Sequence, residues 1–250
     1  MENLPTTRIA MWSGPRNIST ALMRSFENRE DCSVIDEPLY GYYLKTTGFI
    51  HPGSDEIIAS MDCDWRSVAH HLGKATGQTR SVFYQKLMTQ HILPEVELDF
   101  SDSLENCFLI REPRRIIASY CKVRPEFTLE ELGFPQQWQL FQRVANRTGC
   151  APPVIDSAAV LKAPEENLRA LCSALHLEFS PCMLKWPPGD RDSDGVWAPH
   201  WYDAVRCSTG FEEVQETPLD EVQIPEQYEL LCEQADRIYE DLYPHVLVTA

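Results

Sequence analysis

Short apolar runs and amphipathic stretches alternate along most of the chain. Apolar-rich runs of the kind that form buried parallel strands lie at about 8–13, 33–36, 81–86, 106–110 and 154–156. Between them, apolar residues recur every three or four positions, as Ile18, Leu22 and Phe26 do, which is typical of a helix with one buried face. Helices are therefore predicted at about 18–29, 54–62, 65–74, 114–122, 135–148, 164–176 and 225–242.

The order of these elements predicts the fold class. A strand, a helix and a second strand follow closely at the start of the chain, which implies parallel pairing through a right-handed crossover. The whole succession predicts an α/β fold with a central parallel sheet and helices on both faces. Residues 39–78 are predicted to form a helical insert, and residues 180–250 a C-terminal layer of loops and one helix. Because no linker or internal repeat divides the sequence, we expect one domain over residues 1–250.

Composition and charge narrow the class of protein. The formal net charge of −16 argues against a protein that grips nucleic acid nonspecifically, because such a protein presents a basic surface. No apolar stretch approaches the ~18–20 residues that span a bilayer, and no secretory leader pattern opens the sequence. A cytoplasmic protein that does not interact with membranes is expected. The nine cysteines lack C-x-x-C spacing and are expected to be reduced thiols.

Polar residues stand where the predicted strands end. Arg16, Glu37, Arg111 and Asp156 come at or just after the ends of four strands, and residues 86–91 end another. The carboxyl ends of parallel strands meet at one edge of a sheet, which is where such sheets bind ligands. We therefore expect these groups to converge on one site. No spacing typical of zinc or calcium ligands occurs, so no metal is expected.

The first strand ends in a tight turn that leads straight into the first helix. N–H groups at a helix N-terminus lack intrahelical partners and the helix dipole is positive there, so this junction predicts a site for phosphate or sulfate. The hydroxyls of Ser19 and Thr20 could instead simply cap the helix. A magnesium–ATP loop would read G-x-x-x-x-G-K-[ST], and its second glycine and lysine are missing here. The predicted anion loop comprises Ser13, Gly14, Pro15, Arg16, Asn17, Ile18, Ser19 and Thr20.

Two distant segments together resemble the paired motifs of the sulfotransferase superfamily. Residues 15–20 are similar to its 5′-phosphosulfate loop, and residues 109–120 to its 3′-phosphate motif. The chain also resembles the small sulfotransferase-like proteins labelled branched-chain aminotransferase-like, and this resemblance covers nearly its full length. The segments that carry it are 11–17, 36–40, 84–86, 153–156, 183–186 and 197–199.

The resemblance implies a fold, a co-substrate and a set of contacts. The fold would be the three-layer P-loop nucleotide-binding fold. The activity would be transfer of a sulfuryl group from 3′-phosphoadenosine 5′-phosphosulfate (PAPS) to a small hydroxyl or amine acceptor, without a metal. Ser19 and Thr20 would bind the 5′-phosphate. Arg111 and Ser119 would hold the 3′-phosphate, with Arg206 as a second contact in the C-terminal loop.

Catalysis requires stabilisation of the leaving oxygen and a base for the acceptor. Arg16 is expected to stabilise the negative charge that grows on the leaving oxygen. The resemblance points to Glu37 or His91 as the base, with Glu37 favoured. Either residue could be structural instead: Glu37 as a partner of Arg16 or an organiser of its loop, His91 as an ordinary surface or helix-start histidine. Lys86 is expected to contact the sulfate or the acceptor.

Alternative functions remain open at this point. A noncatalytic nucleotide-binding or scaffold protein gains support from Leu87, because similar proteins often carry histidine there. A P-loop kinase is disfavoured by the missing lysine of the anion loop. The aminotransferase label finds no support, because no lysine has a context that suggests a pyridoxal Schiff base. Four C-terminal aromatic residues are expected either to line a pocket or to pack the C-terminal layer: Trp186, Trp197, Trp201 and Tyr202.

Overall fold

A five-stranded parallel sheet forms the centre of the molecule. The computed structural model describes residues 6–74, 80–211 and 217–249. Within them the strands pair in the order β2-β3-β1-β4-β5. The strands are β1 (Thr7–Ser13), β2 (Cys32–Asp36), β3 (Val82–Met88), β4 (Glu105–Ile110) and β5 (Val154–Asp156).

Helices connect and cover the strands. The first four are α1 (Ser19–Glu27), α2 (Tyr40–Thr47), α3 (Ser54–Ser60) and α4 (Trp65–Lys74). The next four are α5 (Pro113–Tyr120), α6 (Phe134–Thr148), α7 (Ser157–Lys162) and α8 (Pro164–Ala174). The C-terminal ones are α9 (Ala198–Trp201), α10 (Asp203–Cys207) and α11 (Glu229–Leu242).

The central strand β1 supplies side chains to two apolar cores, one on each face of the sheet. Ala10 and Trp12 pack in one core with residues of α4 and α6. Ile9 and Met11 pack in the other with residues of α1 and α8. Because successive side chains of a strand point to opposite faces, helices bury both faces of the sheet.

The insert and the C-terminal layer pack on each other. Tyr40, Tyr43 and Leu44 of α2 share an apolar cluster with Trp197 and Tyr202 beside α9 and α10. Two segments distant in sequence are thereby brought together beside the carboxyl ends of β2 and β3. This contact builds one wall of the site described below.

The predicted fold class is confirmed: the fold is α/β, with a central parallel sheet and helices on both faces. Four helices were not predicted individually: α2, α7, and the four- and five-residue helices α9 and α10 of the C-terminal layer, where one helix was expected. α2 carries aromatic residues in succession rather than at helical spacing, and α7 is a short helix directly after β5. The terminal helix begins at Glu229, because residues 226–228 form a separate 3-10 turn after Pro225.

Two predictions about the chain as a whole, its single domain and its cytoplasmic location, are not tested by the structure. Residues 75–78 of the predicted insert lie outside the described residues, and the assignment of residues 1–250 to one domain stays a prediction. Among the described residues, the helices are too short or too polar for any to cross a bilayer. The cytoplasmic location also stays a prediction.

Candidate active site

A cavity of about 430 Å³ lies at the carboxyl edge of the sheet. From β1 the chain passes by way of α1 to β2 on one side, whereas β4 lies on the other side of β1. This is the switch point at which open α/β sheets bind ligands. The anion loop lines one end of the cavity, and residues after β2 and β3 line the other.

The anion loop owes its shape to close packing and unusual backbone geometry. A Cβ atom at Gly14 would lie 2.7 Å from the carbonyl oxygen of Leu132, so glycine is required there. Arg16 has a φ of 57°, which is uncommon for a residue with a side chain. α1 then begins at Ser19, with Ile18 at its N-cap position and no side-chain cap. The N–H groups of its first turn are therefore available to an anion.

The first two residues of the predicted loop shape the turn without lining the cavity. The hydroxyl of Ser13 is fully buried and lies 3.8 Å from the sulfur of Met88. Gly14 is buried against Leu132. The other six predicted residues, numbers 15–20, line the cavity.

Arg16, Arg111 and Ser119 meet although they are far apart in sequence. Arg16 Nε donates a hydrogen bond of 2.9 Å to Ser119 Oγ. Arg111 NH1 donates one of 2.8 Å to the carbonyl oxygen of Arg16. Burial lowers the pKa of the Arg16 guanidinium, against an opposing effect of Tyr120. All three residues line the cavity, so this end presents two guanidinium groups beside a helix N-terminus.

At the other end, Lys86 is buried at the centre of a polar group. Its ammonium nitrogen lies 2.9 Å from Asp36 Oδ1, 2.8 Å from Glu37 Oε1 and 2.7 Å from Tyr202 Oη. Asp36 and Lys86 are register partners on β2 and β3, which brings their side chains together. Burial alone would lower the pKa of Lys86, but the two carboxylates outweigh it and raise that pKa well above its ordinary value.

Glu37 follows β2 directly and also adopts a left-handed backbone, with a φ of 43°. Its side chain is 12% exposed and lines the cavity. Burial raises the pKa of the Glu37 carboxyl, and this effect exceeds the opposing one of Lys86. A carboxyl with a raised pKa at the wall of a cavity is a candidate acid or base.

His91 lies beside Glu37 in the 3-10 turn Thr89–His91. Its Nε2 atom is 4.0 Å from Glu37 Oε2. Burial first, and then the charges of His51 and Lys86, lower the pKa of His91 well below its ordinary value. The ring is therefore neutral at pH 7. His91 is not on the surface, since only 1% of the residue is exposed.

Aromatic side chains enclose His91, and those from α2 were not predicted as site residues. Tyr40 stacks on its ring with centroids 4.9 Å apart, and Tyr43 lies 4.8 Å away at a tilt. The hydroxyl of Tyr40 is 2.7 Å from His51 Nδ1. Burial and the nearby Arg124 lower the pKa of His51 to about 4. α2 had no helical apolar spacing, so its cavity-facing residues could not be predicted.

The four C-terminal aromatic residues divide between the two expected roles. Trp201 and Tyr202 line the cavity. Trp197 is buried and donates a hydrogen bond of 3.0 Å to Tyr202 Oη. Trp186 packs edge-on against Phe211, with ring centroids 5.0 Å apart. Both predicted roles are therefore present, each for a different part of the group.

Three positions singled out in the sequence do not reach the cavity. Arg206 is not brought to it, because its guanidinium pairs with Asp190 across the C-terminal loop. Asp156 caps α7 instead, accepting a hydrogen bond of 3.0 Å from the Ala159 amide. Leu87 packs in the core beside Trp12, on the opposite side of β3 from Lys86. A histidine at this position would not face the cavity.

An uncapped helix N-terminus, two arginines and a buried carboxylate thus lie together at the switch point of a parallel sheet, an arrangement suited to binding an anionic ligand. The family comparison agrees: the model described as "Sulfotransferase domain" matches residues 7–238. The chain belongs to this sulfotransferase family, which confirms the resemblance.

Two curated relatives come from Arabidopsis thaliana. The branched-chain-amino-acid aminotransferase-like proteins 1 and 2 are 36% and 34% identical to this chain over 238 residues, which is 95% of it. The chain spans 42% of the length of each relative. The names of these relatives therefore describe longer proteins.

Two solved structures share the fold. The sulfotransferase domain from the curacin biosynthetic pathway is 17% identical, with a TM-score of 0.56, and the match covers 95% of this chain and 98% of that domain. The sulfotransferase domain of the Synechococcus PCC 7002 olefin synthase is 14% identical, with a TM-score of 0.60 and coverage of 94% and 95%. At such identities the likeness concerns the fold.

The described residues contain no group of three or more His, Cys, Asp or Glu side chains that could hold a metal ion. An aminotransferase would need a lysine whose amine is neutral and able to form a Schiff base. Lys86 does not fit, because Asp36 and Glu37 hold it as a buried ammonium.

Proposed function

We propose that this chain is a PAPS-dependent sulfotransferase whose acceptor is a small molecule with a hydroxyl or amine group. The observation that carries the proposal is the shared cavity. The anion loop and Arg111 line one end, and Glu37, Lys86 and His91 line the other. A donor held by its phosphates at the first end would point its sulfuryl group toward a carboxylate at the second.

The donor end suits a nucleotide with two phosphate groups. In this proposal the first-turn N–H groups of α1, with Arg16, Ser19 and Thr20, bind the 5′-phosphosulfate. Arg111 and Ser119 bind the 3′-phosphate. A planar guanidinium binds such oxyanions through two parallel hydrogen bonds, which gives direction as well as charge. The Arg16–Ser119 hydrogen bond ties the two phosphate sites together before a ligand arrives.

The acceptor end supports Glu37 as the base. Its Oε1 atom accepts a hydrogen bond from Lys86, and no hydrogen bond to Oε2 is found within the described residues. His91 Nε2 faces Oε2 at 4.0 Å, so we infer that the neutral ring carries its proton on Nε2. His91 then acts as a donor rather than a base. One acceptor hydroxyl between the two side chains would be within hydrogen-bond reach of both.

In the proposed reaction the sulfuryl group moves to the acceptor in one displacement that uses no metal ion. The acceptor oxygen or nitrogen forms a bond to sulfur while the bond from sulfur to the bridging phosphate oxygen breaks. Glu37 takes the acceptor proton. Arg16 and the N–H groups of the loop stabilise the charge that develops on the bridging oxygen, where preorganised donors lower the barrier most. The products are a sulfated acceptor and adenosine 3′,5′-bisphosphate.

Nucleotide binding is the first test of the proposal. Calorimetry with adenosine 3′,5′-bisphosphate should give one site per chain, and Arg16→Ala and Arg111→Ala should each weaken binding by about 10-fold to 100-fold, because each removes a charged hydrogen-bond donor. Arg169→Ala is the matched control, since Arg169 is exposed and pairs with Glu165 away from the cavity. Absence of binding to the intact protein would refute the proposal.

The noncatalytic alternative loses the observation that favoured it. Leu87 lies in the core, so the lack of histidine there takes no group away from the cavity. Turnover still separates the two functions. A panel of hydroxylated and amine acceptors, incubated with PAPS and examined by mass spectrometry, should give a product heavier by one sulfuryl group. Tight nucleotide binding without turnover of any acceptor would favour the scaffold function instead.

A further inference from the structure

We propose that Asp36 and Tyr202 are positioning residues that hold Lys86 rigidly against Glu37 and thereby set the orientation and charge of this carboxylate. This inference rests on the proposed role of Glu37 as the base. We refer to Asp36, Lys86, Trp197 and Tyr202 as the Lys86 clamp. The clamp joins the C-terminal layer to the end of β2.

All three N–H groups of Lys86 are engaged. An ammonium group has three donors, and here three acceptors lie at 2.7–2.9 Å: Asp36 Oδ1, Glu37 Oε1 and Tyr202 Oη. An N–H group of Lys86 that turned to the sulfate would have to give up its hydrogen bond to one of these three acceptors. We therefore infer that Lys86 acts through Glu37 and not on the sulfate or acceptor, in contrast to the role expected from the sequence.

Tyr202 connects the members of the clamp. Its hydroxyl donates a hydrogen bond of 2.5 Å to Asp36 Oδ2 and accepts bonds from Lys86 and from the indole N–H of Trp197. One donor and two acceptor positions are thus all used. Because Tyr202 and Asp36 are 166 positions apart, the network forms only when the C-terminal layer is docked on the sheet. A fully satisfied buried network of this kind is rigid and specifies one arrangement.

The charges of the clamp act on Glu37 in opposite directions. Lys86 lowers the pKa of the Glu37 carboxyl, whereas Asp36 raises it. The groups that face Glu37 come from β2, β3, the turn after β3, α2 and the C-terminal layer: Asp36, Lys86, His91, Tyr40 and Tyr202. Substitutions that remove one charge at a time therefore have predictable and opposite signs.

Direct titration of Glu37 tests the clamp without any enzymatic assay. The protein is labelled with carboxyl-¹³C glutamate, and the Glu37 signal is assigned by its loss in Glu37→Gln. Lys86→Met should raise the midpoint and Asp36→Asn should lower it, each by about one to three pH units, because a charge within ~4–6 Å is removed. Asp31→Asn is the control, since Asp31 pairs with Arg29 at the far end of β2 and should leave the midpoint unchanged.

Two outcomes would overturn the inference: equal midpoints in wild-type and both variants, or shifts of the same sign. If Lys86→Met does not fold, the isosteric Asp36→Asn still decides the question. Neither outcome depends on nucleotide binding or turnover. Failure of the clamp is therefore distinguishable from failure of the proposed function.

Tyr202→Phe tests the positional part of the inference. The variant keeps the ring and loses only the hydroxyl that links Lys86, Asp36 and Trp197. With an acceptor that the wild-type protein sulfates, kcat should fall by about 10-fold to 100-fold, as expected when a reacting group is misplaced. The Kd for adenosine 3′,5′-bisphosphate should be unchanged. An unchanged kcat, or equal losses in kcat and nucleotide affinity, would overturn the positioning role.

Discussion

Arg16 and Glu37 face the same cavity, and both have a positive φ although neither is glycine. Such a conformation costs of order 1–3 kcal/mol and persists where neighbouring interactions enforce it. The Glu37 backbone is held on both sides: its amide donates a hydrogen bond of 3.1 Å to the Lys86 carbonyl, and its carbonyl accepts one of 2.9 Å from the Tyr40 amide. Of the three non-glycine residues with a positive φ in the described part of the chain, two are therefore those proposed to stabilise the leaving group and to act as the base, and the third is His176, outside the cavity.

A buried ion pair supports the same region from the side of α1. Arg24 is 1% exposed and lies 2.7 Å from Asp194 in the loop that precedes Trp197. Arg24→Ala should lower the free energy of unfolding by about 3–5 kcal/mol, because it leaves the buried Asp194 carboxylate without its charged partner and with the Arg191 amide as its remaining donor. The measurement is urea unfolding followed by circular dichroism.

The control for this prediction is an exposed arginine in a similar pair. Arg169→Ala removes the surface pair with Glu165 and should change the free energy of unfolding by less than about 1 kcal/mol. Equal effects of the two substitutions would mean that Asp194 is solvated in solution.

At the scale of single elements, α6 shows how glycine positions a neighbour of the site. Gly133 and Gly149 flank this helix with φ values of 76° and 72°. A Cβ at Gly133 would collide with Thr89 Oγ1 and lie 2.8 Å from the Gln90 amide nitrogen, whereas one at Gly149 would meet nothing within 4 Å. The first glycine therefore lets α6 approach the turn that carries His91.

This pair of glycines gives a matched prediction. Gly149→Ala should lower the free energy of unfolding by about 1–2 kcal/mol, the cost of a left-handed backbone at a residue with a Cβ. Gly133→Ala should lower this free energy by a further ~1–3 kcal/mol, because the added Cβ would also clash with Thr89. Denaturant unfolding of both variants measures the difference. Equal losses of stability in the two variants would show that the turn after β3 can shift to accommodate the added Cβ at no energetic cost.

Elements with a local signal could be predicted, and so could the convergence of side chains at the strand ends, whereas contacts made by the C-terminal layer could not. The anion loop could be predicted because a strand, a turn and a helix N-terminus are consecutive in sequence. The positions of Glu37 and His91 followed from where strands end. The contact of Tyr202 with Asp36 could not be predicted, because it depends on how the C-terminal layer folds back over α2. Leu87 was singled out only because similar proteins often carry histidine there, but strand alternation turns this residue into the core, away from the cavity.

For the whole molecule, the central electrostatic question is how a chain with a net charge of −16 would hold a polyanionic nucleotide. Interactions between exposed charges are screened beyond ~8 Å at physiological ionic strength. The groups that line the donor end act at contact distance, and they are the guanidiniums of Arg16 and Arg111 beside the α1 N-terminus. Local charge should therefore outweigh the net charge, and binding should couple to the stability of the fold.

This coupling makes a quantitative prediction. A ligand that binds only the folded state stabilises it by RT ln(1 + [L]/Kd), which is ~2.7 kcal/mol at one hundred times Kd. Adenosine 3′,5′-bisphosphate at that concentration should stabilise the wild-type protein by this amount in urea unfolding. In Arg16→Ala, a ~100-fold weaker Kd would leave ~0.4 kcal/mol at the same concentration. Magnesium–ATP should stabilise neither protein, since the loop lacks the lysine and second glycine of ATP-binding loops. Equal stabilisation by both nucleotides would favour a kinase, because selectivity for the bisphosphate depends on Arg111 and Ser119 forming the second phosphate site.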